Sequence, residues 1–182
     1  CTVRHNKVRI VRNDGSYKWK GRLHEDLFPQ RKVITYLCKD IQVLHLTNSK
    51  RVGEAIKRNE RIAKKMLEEN KKDPRNWWNY ANATYMAGKF KESIEAFFKF
   101  IQESGSEEEI YMAWDRIASI YFRVNDYERS IEAALEALRI RPWYPNAYFT
   151  LAQSFYNARK FRHAKEMLLM GLTKEIPEDT AI

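Results

Sequence analysis

Residues 145–172, PNAYFTLAQSFYNARKFRHAKEMLLMGL, place Ala147, Tyr148, Leu151, Ala152 and Phe155 at helical spacing, then Phe161, Ala164, Leu168 and Gly171, with Asn157–Lys160 as the break between the two sets. Two short helices that are each apolar on one side cannot bury both stripes as an isolated pair, but they can by stacking on another pair. The chain supplies such pairs. At an offset of 34 residues, Trp114, Ile117, Ala118, Tyr121, Tyr127, Ser130, Ala134 and Ala137 stand in for Tyr148, Leu151, Ala152, Phe155, Phe161, Ala164, Leu168 and Gly171. A further offset of 37 residues reaches Trp77, Tyr80, Ala81, Thr84, Phe90, Ser93, Phe97 and Phe100, the extra three residues falling between Glu103 and Glu108.

A period of 34 with large, apolar, small and aromatic residues on a first helix and small residues on a second resembles the tetratricopeptide repeat. Gly88, Asn125 and Arg159 fall at the turn position of that repeat and Pro142 at its closing proline. The resemblance covers Pro74 to Leu172 in three units, 74–107, 111–144 and 145–172. It implies a mainly α fold, an array of three helical hairpins. A generic helical bundle is the alternative, but accidental periodicity has no reason to keep small residues in register.

Local signals agree with this division. Asp73-Pro74 reads as a helix cap followed by a first-turn proline, and Ser106-Glu107-Glu108-Glu109 as a capping box. Upstream, Thr47-Asn48-Ser49 starts an amphipathic helix over Lys50–Asn70 whose apolar face is Val52, Ala55, Ile56, Ile62, Ala63, Met66 and Leu67. Residues 49–73 are thus expected to be a basic linking helix. Residues 173–182, with Pro177, read as a truncated C-terminal segment.

The 182 residues are 44% hydrophobic, enough for a sizeable core, and no apolar run approaches the roughly 20 residues of a membrane-spanning helix. Two cysteines, Cys1 and Cys38, are too few for a disulfide framework or a zinc site, which favours a reducing, cytoplasmic location. The net charge of +9 is uneven: residues 1–72 hold 19 Lys and Arg against 8 Asp and Glu, the remainder 14 against 16. A basic front segment suits phosphate, a nucleotide diphosphate, nucleic acid or an anionic surface without telling them apart. An RNA-binding role would need aromatics interleaved with the basic residues, and only Tyr17 and Trp19 qualify; DNA is not expected as a partner.

Residues 1–48 are β-rich. The alternating runs Val8–Arg12 and Tyr17–Leu23 flank the turn sequence Asn13-Asp14-Gly15-Ser16 and predict a hairpin, with further strands at Lys32–Cys38 and Ile41–Leu46. The stretch Arg9 to Glu25, with its Trp19-x-Gly21-x-x-His24-Glu25 ending, resembles the C-terminal part of a family 2 glycosyltransferase domain of the GT-A type. In bacterial and archaeal members that domain is often followed by tetratricopeptide-like helices. The resemblance implies transfer of a sugar from a nucleotide-sugar donor to a glycan or peptide acceptor, with Mg²⁺ or Mn²⁺ on the diphosphate. It makes His24 and Glu25 candidate catalytic residues, His24 a candidate metal ligand, and Arg9, Arg12 and Lys20 candidates for the donor diphosphate. The Asp-x-Asp metal motif and the usual catalytic carboxylate have no counterpart in these residues. The 182 residues, which begin at Cys1, are therefore read as a piece of a longer enzyme, inactive and metal-free alone.

The repeats carry no catalytic constellation. Their first helices should line a groove with Asn79, Asn82, Tyr85, Asp115, Ser119, Phe122, Arg123, Phe149, Gln153 and Tyr156, a mixture of amides, rings and charge suited to an acceptor or to a protein partner. The rival function is accordingly a non-enzymatic protein-interaction module with a basic front segment. The basic-amide clamp that some tetratricopeptide repeats use for a terminal carboxylate is not evident, because lysine is absent from these positions.

Overall fold

The structure, a computed structural model, describes residues 11–12, 14–23, 26–34, 36 and 49–174. In chain order the elements are β1 (Tyr17–Lys20), β2 (Asp26–Pro29), α1 (Ser49–Glu69), α2 (Pro74–Met86), α3 (Phe90–Glu103), α4 (Glu107–Arg123), α5 (Tyr127–Ile140), α6 (Pro145–Asn157) and α7 (Phe161–Leu172). The chain divides into two units, residues 1–62 and 63–182, the boundary falling inside α1.

In the first unit β1 and β2 form an antiparallel pair in the register Tyr17↔Pro29, Lys18↔Phe28, Trp19↔Leu27 and Lys20↔Asp26. This corrects the expected hairpin. Turn chemistry does act at Asp14-Gly15-Ser16, where Gly15 has φ +73° and the Asp14 carboxylate accepts the Ser16 amide (3.0 Å) and hydroxyl. That carboxylate also pairs with Arg31 at 3.0 Å, so the turn closes locally and ties to the chain beyond β2. The strand reversal falls instead after Lys20, where Gly21 at φ +102° supplies a conformation open to glycine. Val11 and Arg12 are not in a strand, nor are residues 32–34 and 36; the strand expected at Ile41–Leu46 lies outside the described residues.

The second unit holds three helical hairpins, α2–α3, α4–α5 and α6–α7, with α3 packed on α4 and α5 on α6. The closing turns of α1 bury Ala63 and Leu67 here. Asp73 caps α2 by accepting the Arg75 amide at 2.9 Å, and Pro74 occupies the first turn, where no backbone donor is needed. Ser106 caps α4 through the Glu109 amide, but the reciprocal half of the capping box is not made. Glu109 spends its carboxylate on Arg75 (3.2 Å) and the Ser104 hydroxyl (3.4 Å). Each first helix ends in a residue of positive φ: Gly88 (+75°), Asn125 (+62°) and Arg159 (+58°). The next amide then reaches back five residues, Lys89 to Thr84 (2.9 Å), Asp126 to Tyr121 (2.9 Å) and Lys160 to Phe155 (2.8 Å), which is the Schellman closure.

The repeat register survives as contact. Trp77 donates its indole N–H to the carbonyl of Lys71, six residues upstream, and Tyr148 its hydroxyl to Pro142, also six upstream, both at 2.8 Å. Within each hairpin small residues face one another. The Ser93 hydroxyl donates to the Ala81 carbonyl and the Ser130 hydroxyl to the Ala118 carbonyl, both at 2.8 Å, with all four residues fully buried. Phe97, Phe100, Ile117, Ile120 and Leu151 share one buried cluster, Phe97 and Phe100 packing on Trp78, and each burial stabilises by about 1.5–3 kcal/mol. Ala118→Leu should overpack the α4–α5 crossing and cost about 1–3 kcal/mol. Denaturant unfolding measures it, and an unchanged midpoint would contradict the crossing.

Candidate groove across the first helices

The offsets that align the cores also align one surface of α2, α4 and α6. They give the rows Trp78/Asp115/Phe149, Asn79/Arg116/Thr150, Asn82/Ser119/Gln153, Tyr85/Phe122/Tyr156 and Met86/Arg123/Asn157. The expected groove residues do not behave alike. Asn79 is buried (7% exposed), so it packs inside the hairpin array and is withdrawn from a ligand surface. Phe149 is held against α7: a side-chain carbon added at Gly171 would sit 3.1 Å from its ring. Ser119 and Asn82 are half-buried, and the Asn82 amide nitrogen donates to the Trp78 carbonyl at 2.9 Å. Gln153 and Tyr156 are exposed, Tyr156 by 63% and edge-on to Phe161.

One cluster of contacts on this surface centres on Tyr85. Its hydroxyl accepts from the Arg123 guanidinium at 3.1 Å, and that guanidinium lies 5.5 Å from the Tyr85 ring centre and 5.6 Å from that of Phe90. Arg116 approaches the same Tyr85 ring at 5.9 Å. Arg116 was not legible as a groove residue by its own chemistry; the signal that finds it is the register, which sets it level with Asn79 and Thr150.

On the adjoining side α4 is sewn to α6. The Asp115 carboxylate accepts the Thr150 hydroxyl at 3.2 Å, and the Tyr111 hydroxyl accepts the Ala147 amide at 3.1 Å. Burial pushes the Asp115 carboxyl above the usual carboxylate range, opposed by the Thr150 bond and by Arg116, and burial likewise pushes the Tyr111 phenol up.

Of the residues expected to act on a sugar donor, His24, Glu25 and Arg9 lie outside the described residues. Arg12 and Lys20 are exposed, and Lys20 lies 5.2 Å from the Phe28 ring centre in the β1–β2 pair. Among the described residues no three His, Cys, Asp or Glu side chains come together as a metal site, and no helix is long and apolar enough to cross a membrane. His163 lies in α7 with its ring 5.2 Å from that of Phe155.

Comparisons bear on the repeats. The tetratricopeptide repeat family model matches residues 113–142. No curated protein sequence matches the chain. Among solved structures, the MamA protein is similar at 16% identity, over 66% of this chain and 62% of that one, with a TM-score of 0.57. The Hsp90 co-chaperone Cns1 from Saccharomyces cerevisiae is similar at 23% identity over 58% of this chain and 34% of that one (TM-score 0.53). PilF of Pseudomonas aeruginosa is similar at 15% identity over 64% and 52% (TM-score 0.55). The chain thus spans less than two thirds of each of these three, and at such identities the likeness is one of fold.

Asp115→Asn keeps an oxygen for the Thr150 hydroxyl and removes the desolvated charge. A carboxyl whose folded pKa is raised contributes stability below its unfolded value and loses it as pH rises through the folded value. The variant should therefore melt higher than the parent at pH 7, with an advantage that shrinks to nothing as pH falls through the ordinary carboxylate range. Melting curves across pH measure this.

Proposed function

We propose that the helical hairpins are a protein-interaction module that holds an extended partner peptide along the shared face of α2, α4 and α6. The carrying observation is the run of Asn82, Ser119 and Gln153 beside Tyr85, Phe122 and Tyr156, amides and a hydroxyl next to rings across three successive hairpins. Amides bond a peptide backbone in either direction, and rings take side chains with little entropy cost, so such a surface suits an extended chain better than a compact small molecule. The Hsp90 co-chaperone among the structural relatives is by its description an accessory of another protein, in keeping with this use of the fold. Amide chemical-shift mapping with a capped peptide library should perturb α2, α4 and α6 together. Asn82→Ala with Tyr156→Ala should weaken binding about tenfold or more with an unchanged circular dichroism spectrum. Perturbations confined to other surfaces would refute the proposal.

A second reading retains the glycosyltransferase resemblance: residues 1–48 as the tail of a catalytic domain, the repeats as its acceptor- or partner-binding part. What favours it is the Trp19-x-Gly21-x-x-His24-Glu25 motif of the sequence, of which Trp19 lies in β1 and Gly21 follows it at φ +102°. Neither the family match nor the structural relatives supply support for it. Mg²⁺ or Mn²⁺ would offset charge on a leaving diphosphate. The described residues offer no donor set for such an ion, so no step is derived through it. In a longer chain with transferase activity, His24→Ala should lower turnover strongly at unchanged melting temperature; a loss of stability with turnover retained would make His24 structural.

A further inference from the structure

We propose that the Arg116–Tyr85–Arg123 cluster binds the side-chain carboxylates of an acidic segment in the partner peptide, an inference that rests on the peptide-binding reading of the same face. Arg116, Ser119 and Arg123 follow one another at i, i+3 and i+7 on α4, so they form one stripe directed toward α2. Three other arginines of the repeats have carboxylate partners, Arg75 with Glu109 at 3.2 Å, Arg139 with Glu136 at 2.9 Å, and Arg129 with Asp126, while Arg141 lies against the Trp143 and Tyr144 rings of its own loop. Arg116 and Arg123 have a tyrosine ring between them instead, and among the described residues no carboxylate lies in ion-pair range of either.

The difference matters electrostatically. A ring face steadies a guanidinium without cancelling its charge, so the cluster keeps two positive charges in place with their forks available. The surrounding rows offset them only through Asp115, which attracts Arg116. Those of α6 carry Asn157, Thr150, Gln153 and rings, and the single acid, Asp115, is occupied by Thr150 and turned to α6. Keeping two like charges about one ring costs repulsion that the fold does not require, and an anion relieves it.

Two separate planar forks favour two carboxylates over one. In an extended peptide, side chains at i and i+2 point the same way about 7 Å apart, a spacing at which each carboxylate can meet one guanidinium bidentately. A lone terminal carboxylate would satisfy only one fork. The Tyr85 hydroxyl, already accepting from Arg123, fixes the height of that fork over the ring.

The test is calorimetry on the 182-residue chain with three synthetic peptides, all acetylated and amidated: alternating Glu and Ala, the same with Gln for Glu, and the same with phosphoserine for Glu. Shift mapping runs in parallel. The Glu peptide should bind about tenfold or more tightly than the Gln peptide, with a preference that declines as salt rises. Arg116→Gln with Arg123→Gln should abolish that preference, and Arg116→Lys with Arg123→Lys should restore part of it. If the glutamine variant does not fold, the Glu-against-Gln contrast on the parent chain still decides. Equal binding of both peptides on α2, α4 and α6 overturns the acidic-segment inference and leaves the peptide groove standing; binding of the phosphoserine peptide alone also overturns it. No perturbation of that face by any peptide removes both.

Discussion

The structure depends on how closely two helices of one hairpin can approach. At Ala81/Ser93 and Ala118/Ser130 nothing larger than a methyl or a hydroxymethyl stands between the backbones, and the hydroxyl spends its proton on a carbonyl of the facing helix. A buried hydroxyl without such an acceptor would cost about 1–3 kcal/mol, so the bond is a condition of the close approach as much as a gain from it. The second hairpin passes the contact on: the Ser130 and Ser154 hydroxyls lie 2.8 Å apart, and Ser154 is also 2.8 Å from its own Thr150 carbonyl. Around these small residues the larger ones, Phe97, Ile117 and Leu151, join in one buried cluster that draws on all three hairpins.

The second constraint is the turn, and it links packing to the candidate surface. Three successive first helices end with a left-handed residue and the same five-residue closure, so the second helices leave at equivalent angles and the first helices present equivalent rows. Glycine and asparagine accept this conformation cheaply. Arg159 does not: a left-handed residue with a Cβ costs about 1–2 kcal/mol, tolerated here because Lys160 N–H is bonded to the Phe155 carbonyl at 2.8 Å. Identical geometry at an unfavourable residue shows that the packing of α6 on α7 dictates the turn there.

The repeats were legible because their signal is redundant: each position is stated three times, and Trp77 and Tyr148 even repeat the reach to a carbonyl six residues back. The front segment states each position once. There, Asn13-Asp14-Gly15-Ser16 has the composition of a hairpin turn, yet Asp14 turns inward on Ser16 and Arg31, and Gly21 reverses the chain instead. Register was also a better guide than residue type within the groove. Asn79 has ligand-binding chemistry but is buried, whereas Arg116, in the same row one hairpin on, reaches the Tyr85 ring. Which of two equivalent positions opens to the surface depends on the neighbouring hairpin, and a single helix pattern does not contain that neighbour.

Helix α4 joins these observations, since among the first helices α2, α4 and α6 it belongs to the middle hairpin. Toward α6 it offers acceptors, the Asp115 carboxylate and the Tyr111 hydroxyl; toward α2 it offers donors, Arg116 and Arg123. The two sides are coupled through adjacent residues. A carboxylate next in sequence to Arg116 would ordinarily compete with any external anion for its guanidinium. Asp115 is bonded to Thr150, and burial raises its carboxyl pKa while Thr150 and Arg116 act to lower it. Holding that acid against Thr150 therefore ties α4 to α6, and it leaves Arg116 attracted to Asp115 without an ion pair between them.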